Sequence, residues 1–283
     1  MPIPDARPDT VLLDEEFLNQ EFRSLGLPEG AVVMVHASLS AFGPVRHGAH
    51  ALVRALRRCV GPTGTVVAPT FTPQVRDPHP HTPPLENARA DEDRRHVPYF
   101  HDGLPTSMGA VSTAVLALPE RQRGHHPQVS VAAVGPLATA ITAEQPLQHA
   151  FGPDSPFERM YELGAHILLL GVGHNRNSFL HHAESRVPWH RTQVRRFPYE
   201  IQHGRAWVET PDVAEDNGRF FSLLGAEAEA AGLVRSRTIG SARCLLMESR
   251  RYTDFAADRL AELLAEDAWG AAAEQQAALA RAA

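Results

Sequence analysis

Two side chains able to move a proton, His181 and Glu184, stand three residues apart in the stretch Leu168–Arg186, LLLGVGHNRNSFLHHAESR. Positions i and i+3 share a helix face. A helix here would let Glu184 accept a hydrogen bond from one imidazole nitrogen of His181, fixing the tautomer and leaving the other nitrogen as a base. A His–Glu pair at this spacing also serves purely structural ends, and His182 competes for the same role. The second segment of interest, Val35–Gly43 (VHASLSAFG), sets His36, Ser38 and Ser40 after an apolar strand. Hydroxyls and backbone amides there can hold phosphate or amide groups, or simply close a turn. The third, Pro105–Gly109 (PTSMG), opens a helix with Thr106 and Ser107. A helix N-terminus can bind an anion or a carbonyl, and the same residues make an ordinary N-cap. Two acidic groups, Glu209/Asp212/Glu215/Asp216 and Asp91/Glu92/Asp93, read either as solvated charge or as a rim that attracts a polyamine. Cys59 falls on the apolar face of a helix and reads as core.

These residues need elements to position them. Ala31–Ala37 predicts a strand, Gly48–Val60 a helix closed by Gly61-Pro62-Thr63-Gly64, and Thr65–Phe71 a second strand. Such a strand–helix–strand unit favours α/β architecture. Thr72–His101, rich in Pro, His, Asp and Arg, has no periodicity and predicts a lid, a binding loop or disorder. Further on, the pattern predicts a helix over Thr106–Leu118, strands over Val129–Val134 and His166–Val172, and a helix over Ser178–Val187. Tyr199–Gln202 and Ala206–Glu209, around His203-Gly204, predict a hairpin, and Asp216–Ala231 and Thr253–Glu266 predict helices. The Ala/Gln-rich tail from Ala271 predicts a solvated helical end or a frayed one. No linker interrupts the chain, so one domain over residues 1–283 is expected, with an elaborated loop at about 72–104 and the tail after about 270.

Composition narrows the function. The chain has 283 residues, 43% of them hydrophobic and 21% charged, which suits a soluble globular protein with a sizeable core. A net charge of −6 weighs against nucleic acid as partner and suits a cationic ligand. Two cysteines cannot build a disulfide framework or a cysteine metal site. Met1–Leu12 holds no signal-peptide core and no apolar run spans a bilayer, so a cytoplasmic location is expected. Sixteen histidines raise a metal hydrolase, yet neither H-E-x-x-H nor H-x-x-E-H occurs. Arg237–Ala242 (RTIGSA) fits the R-x-x-G-x-A pyrophosphate loop of GNAT enzymes, without a clear apolar strand before it.

In chain order, VHASLSAFG, GPTGTVVAPTF, PTSMG, HPQVSVAAVGP (His126–Pro136), FGPDSPFERM (Phe151–Met160), LLLGVGHNRNSFLHHAE and IGSAR (Ile239–Arg243) resemble the aminoglycoside 3-N-acetyltransferase family over roughly Val32–Phe255. The resemblance implies a layered α/β/α sandwich distinct from the GNAT fold, acetyl-CoA as direct donor, and no metal. It implies His181 and Glu184 as catalytic pair, Thr70 as support for an oxyanion, and a coenzyme A channel between His36, Ser38, Leu39 and Ser40 on one side and Thr106, Ser107 and Met108 on the other. Ser130 is expected in a structural or cofactor-proximal role. Glu209, Asp212 and Asp216 are the expected acceptor contacts. The chain departs from the family at Tyr99–Pro105, where F-D-P-x-x-T-P is frequent, and matches its acidic acceptor segment only loosely at Trp207–Phe220. The implied reaction is direct acetyl transfer, in a ternary complex, to the 3-amino group of a deoxystreptamine ring, which inactivates the antibiotic. A same-fold transferase for another amine, or a non-enzymatic binding protein, is the alternative. Monomer and homodimer are both open.

Overall fold

The computed structural model describes residues 12–282 except 84, 203 and 217, with side chains described as far as residue 268. Its strands are β1 (Val32–Ala37), β2 (Thr65–Pro69), β3 (Gln122–Arg123), β4 (Val131–Val134), β5 (His166–Leu170), β6 (Thr192–Ile201), β7 (Gly204–Val213), β8 (Arg235–Ile239) and β9 (Ala242–Glu248). Seven form a sheet in the order β3-β4-β2-β1-β5-β9-β8, and β6 and β7 pair apart as a hairpin. The centre, β2-β1-β5, is parallel, and the flanking pairs are antiparallel. Central strands covered on both faces read as continuous apolar runs, which is why VVMV and ILLL were legible. Alternation then sorts their side chains: Val33 and Val35 enter one core, Val32 and Met34 the other.

The helices complete the sandwich. On the face of Val33 lie α1 (Glu15–Leu25), α2 (Gly48–Val60) and α4 (Gly109–Leu116), which supply Phe22, Leu56 and Val115. On the opposite face lie α5 (Ala138–Thr142), α6 (Pro156–Glu162), α7 (Phe179–Ser185), α8 (Phe221–Ala230) and α9 (Ser249–Ala282). The remaining helix, α3 (Ala88–Arg95), lies outside both layers. Among the described residues no helix is long and apolar enough to cross a membrane.

Several expectations are corrected. The α4 helix starts at Gly109, not Thr106, because Thr106 Oγ1 donates to Phe71 O and accepts from Met108 N, holding that stretch as a turn. The hairpin strands run ten residues each, more than twice the expected length, and Glu209 and Asp212 belong to β7, not to a turn after it; His203 lies outside the described residues. The α8 helix starts at Phe221, with Asp216 before it. The Ala271 tail, by contrast, takes the helical one of its two expected forms and continues α9. RTIGSA is the turn of the β8–β9 hairpin, with Gly240 at φ 59°, so no helix follows and the pyrophosphate-loop reading fails.

Thr72–His101 is neither structureless nor a simple loop. It contains α3, whose Arg94 is buried. Arg94 Nε donates to Asp77 at 3.0 Å, Nη1 to Asp91 at 3.1 Å, and Nη2 to the carbonyls of His79 and Thr82. Arg196 of β6 pairs with the same Asp77 at 2.7 Å, and Val75, Val97, Leu104 and Phe197 form a small apolar cluster beside it. Asp91, Glu92 and Asp93 are paired with Arg94, Arg95 and His79.

Candidate active site

The parallel strands β2, β1 and β5 end on one edge, where ligands of open α/β sheets gather. After β1 the chain turns through Ser38–Phe42, whose Ser38 N–H donates to Leu170 O at 2.9 Å. Gly171, at φ 66°, makes this crossing possible: a Cβ there would lie 2.4 Å from the Ala41 Cβ. Beside this edge lies a cleft of about 530 Å³. Phe71 and Pro73 enter it after β2, Asn175–Ser178 after β5, and His181 from α7. Ser107 and Met108 line it just before α4, and Gly109 and Ala110 line a second depression of about 570 Å³ with Ala37, Ser38, Leu39 and Ser40. The two depressions meet at the N-terminus of α4, whose first amides have no partner inside the helix.

His181 is held by aromatic rings. Phe151 lies 4.9 Å away, centroid to centroid, and Phe221 of α8 meets it edge-on at 4.8 Å. Its Nδ1 is buried with no hydrogen-bond partner among the described residues. Burial, reinforced by Arg195 and then Arg191, lowers its pKa to about 3, so the ring is neutral at ordinary pH. The expected hydrogen bond from His181 to Glu184 is absent. Glu184, fully buried, instead takes Arg191 Nε and Nη2 at 2.8 Å each. Arg191 lies seven residues on, past the end of α7, and also reaches Asp216 at 3.4 Å. His182 points away from the cleft and donates from Nδ1 to Phe151 O at 2.7 Å, so it fastens the segment that bears Phe151.

Other expected residues fall on both sides of the cleft wall. Ser38, Leu39 and Ser40 line the outer depression, with the two serine hydroxyls 3.2 Å apart. His36 does not join them: it is buried in β1 with Nε2 unpartnered, and burial lowers its pKa to about 4. Thr70 is also enclosed. Its hydroxyl lies 3.1 Å from both Ser130 O and Ser130 Oγ, and Arg123 ties Ser130 and Thr70 O into one buried network. Thr70 is therefore not part of the cleft lining, and Ser130 is bonded into the same buried network. Asp216 does line the cleft, where its carboxylate accepts the Phe220 and Phe221 amides. Asp212 is buried against Arg195, and Glu209 pairs with Arg196 on the surface; neither lines the cleft. Glu215 lines it and pairs with Arg76 at 2.6 Å. The histidines are dispersed in such roles, and no three His, Cys, Asp or Glu side chains converge as a metal site among the described residues.

The parallel-centred sandwich thus brings a desolvated imidazole and a helix N-terminus to one two-part groove. Comparison with known proteins places it more closely. Residues 34–261 match the family described as aminoglycoside 3-N-acetyltransferase. An aminoglycoside N(3)-acetyltransferase III of Salmonella sp is 35% identical over 255 residues, covering 84% of this chain and 88% of that protein. Among solved structures, the YokD protein of Bacillus subtilis superposes with a TM-score of 0.82 at 29% identity, covering 89% of this chain and 94% of that one. The AAC-IIIb binary complex with CoASH gives 0.78 at 28%, covering 89% and 97%, and AAC-VIa bound to sisomicin gives 0.77 at 27%, covering 88% and 98%. The chain belongs to the aminoglycoside 3-N-acetyltransferase family and is an N-acetyltransferase.

Proposed function

We propose that this protein acetylates an amine of an aminoglycoside antibiotic, the 3-amino group of the deoxystreptamine ring, and so inactivates the drug. The observation that carries the reading is the meeting of His181, the α4 N-terminus and the exits of three parallel strands at one groove. Acetyl-CoA lies along Ser38–Ser40 and Gly109, with its thioester turned into the cleft past Met108. The acceptor occupies the side of Asp216 and Glu215. The neutral amine nitrogen bonds to the thioester carbon, and His181 takes the proton that the nitrogen loses. The carbonyl then reforms, the C–S bond breaks, and the CoA thiolate leaves with the proton from His181. Buried Cys59 has no part in this.

A panel of amines with acetyl-CoA and free-thiol detection tests the reading: thiol release with 3-amino aminoglycosides supports it, and none with any of them removes it. The cleft charges favour a second acceptor class. Arg76, Arg176 and Arg195 line it against only Glu215 and Asp216, each already paired with an arginine. Release with monoamines but not with aminoglycosides would establish that alternative.

A further inference from the structure

We propose that Arg195 is the electrophile of this site, its guanidinium holding the thioester oxygen as that oxygen takes on negative charge. The inference rests on the acetyl-transfer reading above. Acyl transfer gains most from a fixed donor aimed at the developing oxyanion in a water-poor site, and Thr70, enclosed with Ser130, cannot be that donor.

Arg195 meets the requirement. It is a buried cation on the cleft wall. Its Nε is bonded to Asp212 and its Nη1 donates to Gln128 Oε1 at 3.3 Å, while Nη2 makes no hydrogen bond among the described residues. Two nitrogens are thus anchored, and the third is aimed instead of swinging freely. The guanidinium lies 5.7 Å from the centroid of Phe151, the ring that sits tilted at 4.9 Å from His181, so cation and imidazole stand about one aromatic ring. The other charges do not compete for Nη2: Glu215 is held by Arg76, Asp216 by Arg191 and the α8 amides, and Glu184 by Arg191. Arg176 is the remaining charged group of the lining.

The placement also explains how a weakly basic histidine can accept a proton. In the resting enzyme the Arg195 field opposes protonation of His181. When the amine nitrogen bonds to the carbonyl carbon, the π pair moves onto the oxygen beside Nη2. That negative charge offsets the guanidinium as the imidazole gains its proton. On collapse the pair returns, the C–S bond breaks, and the field is restored.

The test measures kcat, CoA affinity and melting for Arg195→Gln, Arg195→Lys and Arg195→Ala. Arg195→Gln should lower kcat about 100- to 1,000-fold with CoA affinity unchanged. Arg195→Lys should recover part of the loss, and added guanidinium should restore turnover to Arg195→Ala. A folded, CoA-binding Arg195→Gln with wild-type kcat overturns the proposal. If Arg195→Gln does not fold, a double variant, Arg195→Met with Asp212→Leu, removes the ion pair as a unit; wild-type kcat there overturns it equally, and lost kcat with CoA still bound supports it. A wild-type protein that transfers acetyl to no amine sinks the acetyl-transfer reading, and this proposal with it.

Discussion

The imidazole of His174 fills the space over Gly225 so closely that a Cβ on residue 225 would lie 2.1 Å from the His174 Cγ. His174 cannot retreat, because Tyr252 Oη holds its Nδ1 at 2.7 Å and Glu229 its Nε2 at 3.2 Å. The helix with Gly225 also carries Phe221, which packs on His181. Gly225→Ala should therefore push α8 outward, cost about 1–3 kcal/mol, and lower kcat through the displaced Phe221. Thermal melting and steady-state kinetics on one preparation check both effects.

His181→Ala should lower kcat by about a hundred- to ten-thousand-fold, the usual share of a general base, and leave CoA binding nearly intact. His182→Ala, a mild change on helical geometry alone, should instead destabilise by about 1–3 kcal/mol, because Phe151 O loses its buried donor. Denaturant unfolding separates the two: His181→Ala fails in turnover and His182→Ala in stability.

Glu184→Gln should also act on stability first. It leaves the Arg191 guanidinium with only Asp216, at 3.4 Å, as a charged partner, and breaking a buried pair from one side costs about 3–5 kcal/mol, less here because Asp216 remains and Arg191 partly reaches solvent. A melting temperature equal to wild type would contradict this account of the pair.

The pH dependence follows from buried imidazoles. Burial lowers His126 and His181 to about 3, and His36 and His182 to about 4. The unfolded chain binds these protons near pH 6.5 and the folded chain does not, so unfolding takes up protons on acidification. The stability is complete above about pH 6.5 and is lost as pH falls through the folded values, by up to about 1.4 kcal/mol per pH unit for each group. Melting temperature should fall steadily from pH 6.5 to 4. Over the same window kcat/KM should show no His181 limb, contrary to what a Glu184-supported imidazole would give. Any limb seen should move with the pKa of the acceptor amine.

Arg76 and Glu215 meet at the cleft mouth, both partly exposed. Arg76→Ala should lower KM for a polycationic acceptor several-fold by freeing the carboxylate, and Glu215→Gln should raise it. Both effects should shrink with added salt, and initial-rate kinetics at two ionic strengths read them directly.

The sequence was most readable where one signal sufficed. The α2 helix ends where Gly61-Pro62 punctuates it, and the apolar central strands could face only two covering layers. It was least readable where partners are distant or patterns inverted. Arg191 escapes any helical spacing rule because it lies beyond the end of α7. In β6 the apolar Val194 is exposed and the charged Arg195 is buried, the reverse of the alternation that marks an inward face. β8 reads as Arg-Ser-Arg-Thr because it is an edge strand with little to cover. The α1 helix carries its signal at its ends, with Asp14 capping the Phe17 amide and Gly26 at φ 101°, while its turns are polar on one side and give only a partial apolar pattern.

The Arg94 knot is tied to the hairpin at Asp77. Swinging the 72–104 segment away would part enclosed Asp77 from Arg196 and pull the Arg94 and Val97 carbonyls from Arg205, while the Arg94–Asp77 pair itself would travel with the segment. That bank of the cleft is a fixed quay and not a drawbridge.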